Sequence, residues 1–364
     1  MTGLSAESRR LVWLFDRKLV GVAAGCMLVV ALGALVQVSF GAYTMTPVEA
    51  WRAVLNPDVV FSRRAWNAFL LGGEMPEMST DSLIAWNVRL PRVFVAVIVG
   101  MNLGVSGAIF QAVTRNELAS PFILGVSSGA GLMILLTLVI FGTLTAFLPL
   151  IAAVGGAVAF LIVYAIAWKN GTSPVRLVLA GVIVGTVLGS LQTALFFFAD
   201  DIGIVQSAIA WTTGSLTGTD WEQVRMALPW SVVAIGLAIA GSRQCNVMLL
   251  GEQTAKSLGM SIEKVRFALS GVAVLAAAAS IAVAGIVSFV GLIVPHIVRN
   301  LVGSDYKQVI VGCLFVGPAL MVAADVGARL ALNPVQIPVG IVTGLVGGTY
   351  FLYLMRKKRN MGEI

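Results

Sequence analysis

The sequence predicts an all-α integral membrane protein of ten transmembrane helices with both termini in the cytoplasm. Three observations carry that expectation. Of 364 residues, 58% are hydrophobic and 11% charged, with mean hydropathy +0.95, more apolar surface than one water-soluble core can hide. Windows free of Lys, Arg, Asp and Glu recur along the chain, at the roughly 20-residue length that a helix needs to cross a bilayer. The basic residues, finally, fall where they would orient such helices.

Taken in order, Leu19–Phe40 is span one. It is too long for the apolar core of a signal peptide and lacks a small-x-small cleavage site, so it is expected to stay. Residues 41–92 form a long periplasmic loop, and 93–355 hold spans two to ten. Val93–Thr114 is span two, and Leu118–Trp168, interrupted by Gly142 and Pro149, is long enough for spans three and four. Leu177–Ala199 and Met226–Ser242 are spans five and six. Phe267–Val298 is long for one helix and short for two, but Gly285, Gly291 and Pro295 break continuity, so spans seven and eight are expected there. Gln308–Ala324 and Leu330–Met355 complete a single transmembrane domain over 1–364.

Parity supports the even count. Ten spans put Arg356–Arg359 on the same cytoplasmic side as Arg9, Arg10, Arg17 and Lys18; nine would put them outside. Most of the outer cations are then Arg52, Arg63, Arg64, Arg89 and Arg92 in the 41–92 loop. The net charge of +7 is accounted for by topology, and no nucleic-acid partner is expected.

Enzyme chemistry finds no constellation. Cys26, Cys245 and Cys313 are isolated in sequence, which suggests neither a disulfide nor a metal site. His296 is the one histidine, too little for a Ser-His-Asp site, and no GxxxxGK[ST] phosphate loop is present. No catalytic residue and no bound cofactor are expected, and any ATP hydrolysis belongs to a partner chain. His296, following Pro295, is expected to satisfy backbone groups freed by the proline rather than to relay protons. Asp325 is expected to pair with Arg329 at i,i+4.

Three polar stretches stand out. The longest inner loop, 243–266, contains "GEQTAKSLGMSIEKVR" (251–266), in which Leu250, Thr254, Ala255 and Leu258 share a helical face and Gly259 is a C′ stop. Ser261 can cap a second short helix carrying Glu263 near its positive end, so a helix-turn-helix along the membrane surface is expected. On span five, Gly181, Gly185 and Gly189 form a packing ridge, as do Gly340, Gly344 and Gly348 on span ten. Beside the first ridge lie Thr186, Ser190 and Thr193, with Gln192 adjacent, a weakly polar face that could make interhelical hydrogen bonds. Gly203–Gly214, after Asp200 and Asp201, is too short to span and carries an apolar face of Ile204, Ala208 and Trp211. It is expected to be a short outer helix, which Trp211 can anchor in the lipid headgroups.

Gly251, Glu252, Ala255, Leu258 and Gly259 fit a "GE..A..LG" pattern. With it come, in order, "RLPR" (89–92), "SGAIFQ" (106–111), "RNELASP" (115–121), "LGVSSGA" (124–130), "WTTGSL" (211–216), "SFVGLIVPHIVR" (288–299), "ADVGAR" (324–329) and "PVGIVT" (338–343). From Arg89 onward the chain resembles the FecCD-type permeases, the ABC-importer subunits for ferric siderophores, haem and vitamin B12. It departs where Glu117 replaces the family's usual Pro and Ser120 its usual Asp.

The resemblance implies a type II ABC importer permease fold in the bacterial cytoplasmic (inner) membrane. It implies as partners a second permease subunit (a paralogue or a second copy), two ATPase subunits that use ATP and Mg, and a soluble or lipid-anchored binding protein. Coupling to the ATPase would fall to Gly251, Glu252, Ala255, Leu258 and Gly259, and docking of the binding protein to Arg89, Arg92 and Arg329. Thr186, Ser190, Gln192 and Thr193 would line the pathway. Ile204, Ala208 and Trp211 would form the gate helix, with Gly203 and Gly214 as flexible ends. "AWKNG" (167–171) and "SPVRLVLAG" (173–181) resemble catecholate-siderophore permeases more than the vitamin B12 permease, which implies a ferric siderophore cargo. The alternatives are the same permease role for haem or vitamin B12, and a self-sufficient secondary transporter, which would need a midplane carboxylate or a cation site in broken helices.

Overall fold

The computed structural model describes residues 16–40, 45–199, 201–332 and 335–360; Arg9, Arg10 and Asp200, named above, lie outside them. The fold is built almost wholly from helices. Helix α1 (Arg17–Ser39) starts where the Asp16 carboxylate accepts from Lys18 N. Four short helices follow, α2 (Pro47–Val54), α3 (Pro57–Val60), α4 (Arg63–Leu71) and α5 (Thr80–Ile84), the last running through a π turn (Ala85–Arg89) into α6 (Leu90–Thr114). Then come α7 (Val126–Val139), a 3-10 turn (Gly142–Phe147), α8 (Leu148–Ala167), α9 (Pro174–Phe196) and α10 (Ile202–Thr213). The chain ends with α11 (Trp221–Leu249), α12 (Glu252–Ser257), α13 (Ile262–Ala284), α14 (Val290–Val302), α15 (Tyr306–Leu330) and α16 (Val339–Asn360).

Seven helical stretches among the described residues are long and apolar enough to cross a membrane, and α7, α14 and α16 are shorter apolar helices. The chain is a multi-pass membrane protein. Most of the expected spans coincide with these helices, but their bounds shift: the helix of span ten starts at Val339 rather than Leu330, which ends α15, and that of span six runs from Trp221 to Leu249. The break expected within Phe267–Val298 is confined to the residues between Ala284 and Val290, so Gly291 and Pro295 sit inside α14 rather than ending it. And α6 is the continuation of a helix begun at Thr80, well before Val93.

Residues 45–92 are folded into short helices rather than left as a loop. Helix α2 carries a complete capping box from Thr46 and Glu49. Above it Phe69 stacks on Trp86 (5.2 Å, 3° between planes) and on Trp221 (4.9 Å, 20°). Trp86 Nε1 donates to Ala53 O at 3.2 Å and Trp221 Nε1 to Trp86 O at 2.6 Å. Each indole thus buries its face while its one donor is satisfied. This aromatic stack fixes the cap over the start of α11.

At the centre stands α6. Its stretch from Thr80 is 83% buried over its most apolar window, whereas α1 is 6% buried and faces outward nearly all round. Close approach explains the packing: a Cβ on Gly107 would overlap the Gly291 carbonyl of α14, and one on Gly100 the Gly317 carbonyl of α15. Small residues of this kind let helices associate where no hydrophobic force separates them from lipid. The glycine ridges read from sequence are only partly used. Gly181 and Gly340 meet neighbouring backbone, but Gly189, Gly344 and Gly348 have open space beside them, and Gly347, off the ridge, packs on Phe289 and Ile293.

Candidate functional site

The turn from α11 through α12 to α13 lies at one end of the bundle. Gly251 N-caps α12 at φ +97, and the helix closes on a Schellman motif: Gly259 N bonds Lys256 O at 2.9 Å and Met260 N bonds Ala255 O at 3.0 Å. Gly259 supplies the required left-handed φ of +80, as the sequence led us to expect. The shared face does not survive intact. Ala255 is 1% exposed and packs into its own chain, while Leu250 and Leu258 are 60% and 64% exposed. Ala255 is therefore a seat for α12, and the surface offered outward is Leu250, Thr254, Leu258 and Gly259. The expected second short helix is also corrected: Ser261 makes no side-chain cap, and α13 runs unbroken from Ile262 to Ala284. Glu252 is held from within, its Oε1 2.7 Å from Arg266 Nη2 and 3.9 Å from Arg115 Nη2.

At this same end Glu117 lies between Arg299 (3.7 Å) and His296 Nδ1 (3.9 Å), and the imidazole also rests against Tyr350 and Phe351. This carboxylate contact is one that the sequence did not suggest for His296.

The far end of the bundle holds a buried polar network. Arg92 donates from Nε and Nη2 to the two Asp325 oxygens at 2.8 Å each, and from Nη1 to Gln336 Oε1 at 2.7 Å. Gln37 Nε2 adds a third bond to Asp325 at 2.7 Å. The i,i+4 pair expected between Asp325 and Arg329 does not form; Arg329 Nη1 instead donates to Gln37 O at 3.0 Å. Arg89 donates to Val38 O. Arg89 and Arg92 are 2% and 7% exposed, so neither presents its charge on the surface of this chain, and the expected docking cation left accessible is the half-buried Arg329. Buried guanidinium groups persist only where hydrogen bonds and an opposite charge meet them, as here.

Between the ends, α9 turns a weakly polar face outward. Thr186, Ser190 and Thr193 are exposed, and each hydroxyl donates back to the carbonyl four residues earlier, at 2.8, 3.0 and 3.1 Å. They bond their own helix and not a neighbour. Gln192 is the interhelical member, its Nε2 donating to Ser128 O of α7 at 2.8 Å. Thr186 and Gln192 line a recess of about 400 Å3 with Ser127, Ser128 and Thr212.

Helix α10 closes that region. Asp201 caps it by accepting from Gly203 N at 2.8 Å, and Ala208 is its fully buried residue, with Trp211 partly buried and Ile204 half-exposed. Its C-terminal end is pinned by main chain: Ile286 N donates to Trp211 O (2.9 Å), Ser215 N to Ala284 O (2.8 Å) and Gly340 N to Gly214 O (3.2 Å). In this conformation Gly214 lies against the α13–α14 break, held by the bond to Gly340 N.

A bundle of apolar helices with a small, polar-faced wall and a compact protruding turn defines a membrane permease. The chain matches the FecCD transport family over residues 16–357 and belongs to it. It is 42% identical over 283 residues to the Fe(3+)-citrate import system permease protein YfmD of Bacillus subtilis, covering 78% of this chain and 84% of that one. It is 36% identical over 285 residues to the ferric enterobactin transport system permease protein FepG of Escherichia coli, covering 78% and 85%. Among solved structures, an inward-facing metal-chelate type ABC transporter aligns with a TM-score of 0.77 at 25% identity, over 93% of this chain and 99% of that one. The family is one of transport permeases rather than catalysts.

Proposed function

We propose that the chain is the permease subunit of an ABC importer that carries a ferric chelate of the siderophore class across the bacterial cytoplasmic membrane. In this reading all ten apolar helices, α1, α6, α7, α8, α9, α11, α13, α14, α15 and α16, cross the bilayer alternately, with both termini and α12 in the cytoplasm. The observation that carries it is α12: a six-residue helix closed by a Schellman turn, with Leu250 and Leu258 exposed, is shaped to enter a groove on a separate ATPase. A second copy or paralogue would complete the pathway against α9, with α10 as the gate. A binding protein would deliver cargo at the end where Arg329 lies. The related permeases named for Fe(3+)-citrate and enterobactin favour a ferric chelate. Uptake of a panel of iron chelates and of cobalamin by a deletion strain, with and without the gene restored, tests it. Gene-dependent uptake of one iron chelate is expected. Uptake of none, or uptake driven by an ion gradient without ATP, overturns it.

A further inference from the structure

The interior side of the coupling turn holds a second feature. Arg266, in the second turn of α13, is 1% exposed and reaches two segments far from it in sequence. Nη2 takes Glu252 Oε1 of α12 at 2.7 Å. Nη1 donates to Thr172 O at 2.6 Å and Thr172 Oγ1 at 3.0 Å, in the turn between α8 and α9, and contacts Glu263 Oε1 at 3.2 Å. Glu263 closes the ring: its Oε2 accepts from Thr172 N at 3.0 Å and from Thr172 Oγ1 at 2.7 Å.

The α8–α9 turn is itself braced onto α9. Arg176 Nη2 donates to Gly171 O at 2.8 Å and its Nη1 to Lys169 O at 3.2 Å, and Ser173 caps α9 by accepting from Arg176 N. Charge-assisted bonds therefore run from α12 through Arg266 to Thr172, and the backbone of this braced turn carries the connection into the first turn of the wall helix. Only a planar fork can serve both directions, because Lys offers a single point charge.

We infer that Arg266 is the positioning residue that carries movement of α12 to α9. When the ATPase displaces α12, Glu252 draws the guanidinium, and Thr172 passes the shift to the α8–α9 turn and so to the face bearing Thr186 and Ser190. Helix α13 offers no route as direct, since it packs on α6, α11 and α8 and reaches the wall helix α9 only through them. The inference rests on α12 being the ATPase-facing element.

The test uses the complete transporter in proteoliposomes and reads chelate taken up per ATP hydrolysed, normalised to the ATPase that co-purifies. Arg266→Lys and Thr172→Val should each lower that ratio by about fivefold or more, the lower range of measured coupling between linked sites. Because both act along one chain, Thr172→Val combined with Glu252→Gln should lower it no further than the worse single change. Thr172→Val removes only the Oγ1 bonds and leaves the main-chain bond from Arg266 to Thr172 O, so if Arg266→Lys does not fold, Glu252→Gln, which removes the charge at the α12 end, decides. An unchanged ratio in Arg266→Lys, or in Glu252→Gln where Arg266→Lys does not fold, or independent multiplicative losses in the double variant, overturns the inference. Absence of ATP-driven uptake by the unaltered transporter would instead sink the importer reading on which it rests.

Discussion

Asp325→Asn removes a single charge from the network that joins α1, α6 and α15. The carboxylate side chain is 1% exposed and accepts three bonds, two from Arg92 at 2.8 Å and one from Gln37 at 2.7 Å. An amide offers one oxygen and turns an NH2 toward donors that already point at it. Arg92, its side chain 8% exposed, then stays charged and desolvated. Breaking a buried pair from one side costs about 3–5 kcal/mol. Because Arg92 retains Gln336 at 2.7 Å, the lower bound, about 3 kcal/mol, is expected. The double variant Arg92→Met with Asp325→Leu leaves neither charge and should return to within about 1–2 kcal/mol of the original, the remainder coming from Gln37, whose amide loses its acceptor. Equilibrium unfolding in mixed detergent, followed by the fluorescence of Trp86 and Trp221 at the same end, measures both. A single variant costing under about 1 kcal/mol, or a double variant less stable than the single, would refute the reasoning.

Gly259 has φ +80 and no heavy atom near the place of a Cβ, so substitution there acts through backbone strain alone. Gly259→Val should cost about 1–2 kcal/mol at the turn and depress ATP-driven uptake, while Gly259→Asn retains most of it; equal uptake by the two would remove the turn from coupling. Gly107→Ala should abolish a monodisperse peak in size-exclusion chromatography, because its Cβ meets Gly291, whereas Gly344→Ala, with open space beside it, should leave the peak unchanged. Arg329→Glu should weaken docking of the binding protein at low salt more than at high salt, and Arg89→Glu should reduce folded yield instead; unchanged low-salt affinity in Arg329→Glu would end the docking assignment. A cysteine pair joining α10 to its counterpart in the partner permease should block uptake until reductant is added, and full transport in the cross-linked state would leave α10 as an anchor only.

Much of this fold is legible in composition, because charge is excluded wherever a helix meets hydrocarbon. The same signal truncates helices that extend past it: α11 runs from Trp221 to Leu249 through Glu222, Arg225 and Arg243, which a charge-free window stops short of. It also passes over α2 to α5 and the π turn, whose few apolar anchors, Phe69 in α4 and Trp86 in the turn among them, are spaced among polar residues. The protruding turn could be read locally, since a Schellman glycine and its helix lie within a few residues. Arg92 with Asp325, and Arg266 with Thr172, could not, because each pair is joined only by tertiary packing. One signal for Arg266 was available. A cation near the positive end of a span helix is unfavourable unless partners meet it, and Glu263 stands three residues before it.

The burial of α6 has a consequence for how the protein is made. It is the second span to emerge, yet the helices that enclose it, α13, α14 and α15, are among the last. At about 5–20 residues per second the interval is ~10–40 s. During that time Asn102, Ser106 and Gln111 face lipid or the insertion machinery with their later partners, Ser231, Ala273 and Leu292, not yet synthesised. A helix that finishes in a protein interior must therefore be apolar enough to survive as if it faced lipid for good, so the hydropathy of α6 reflects its biogenesis rather than its final surroundings.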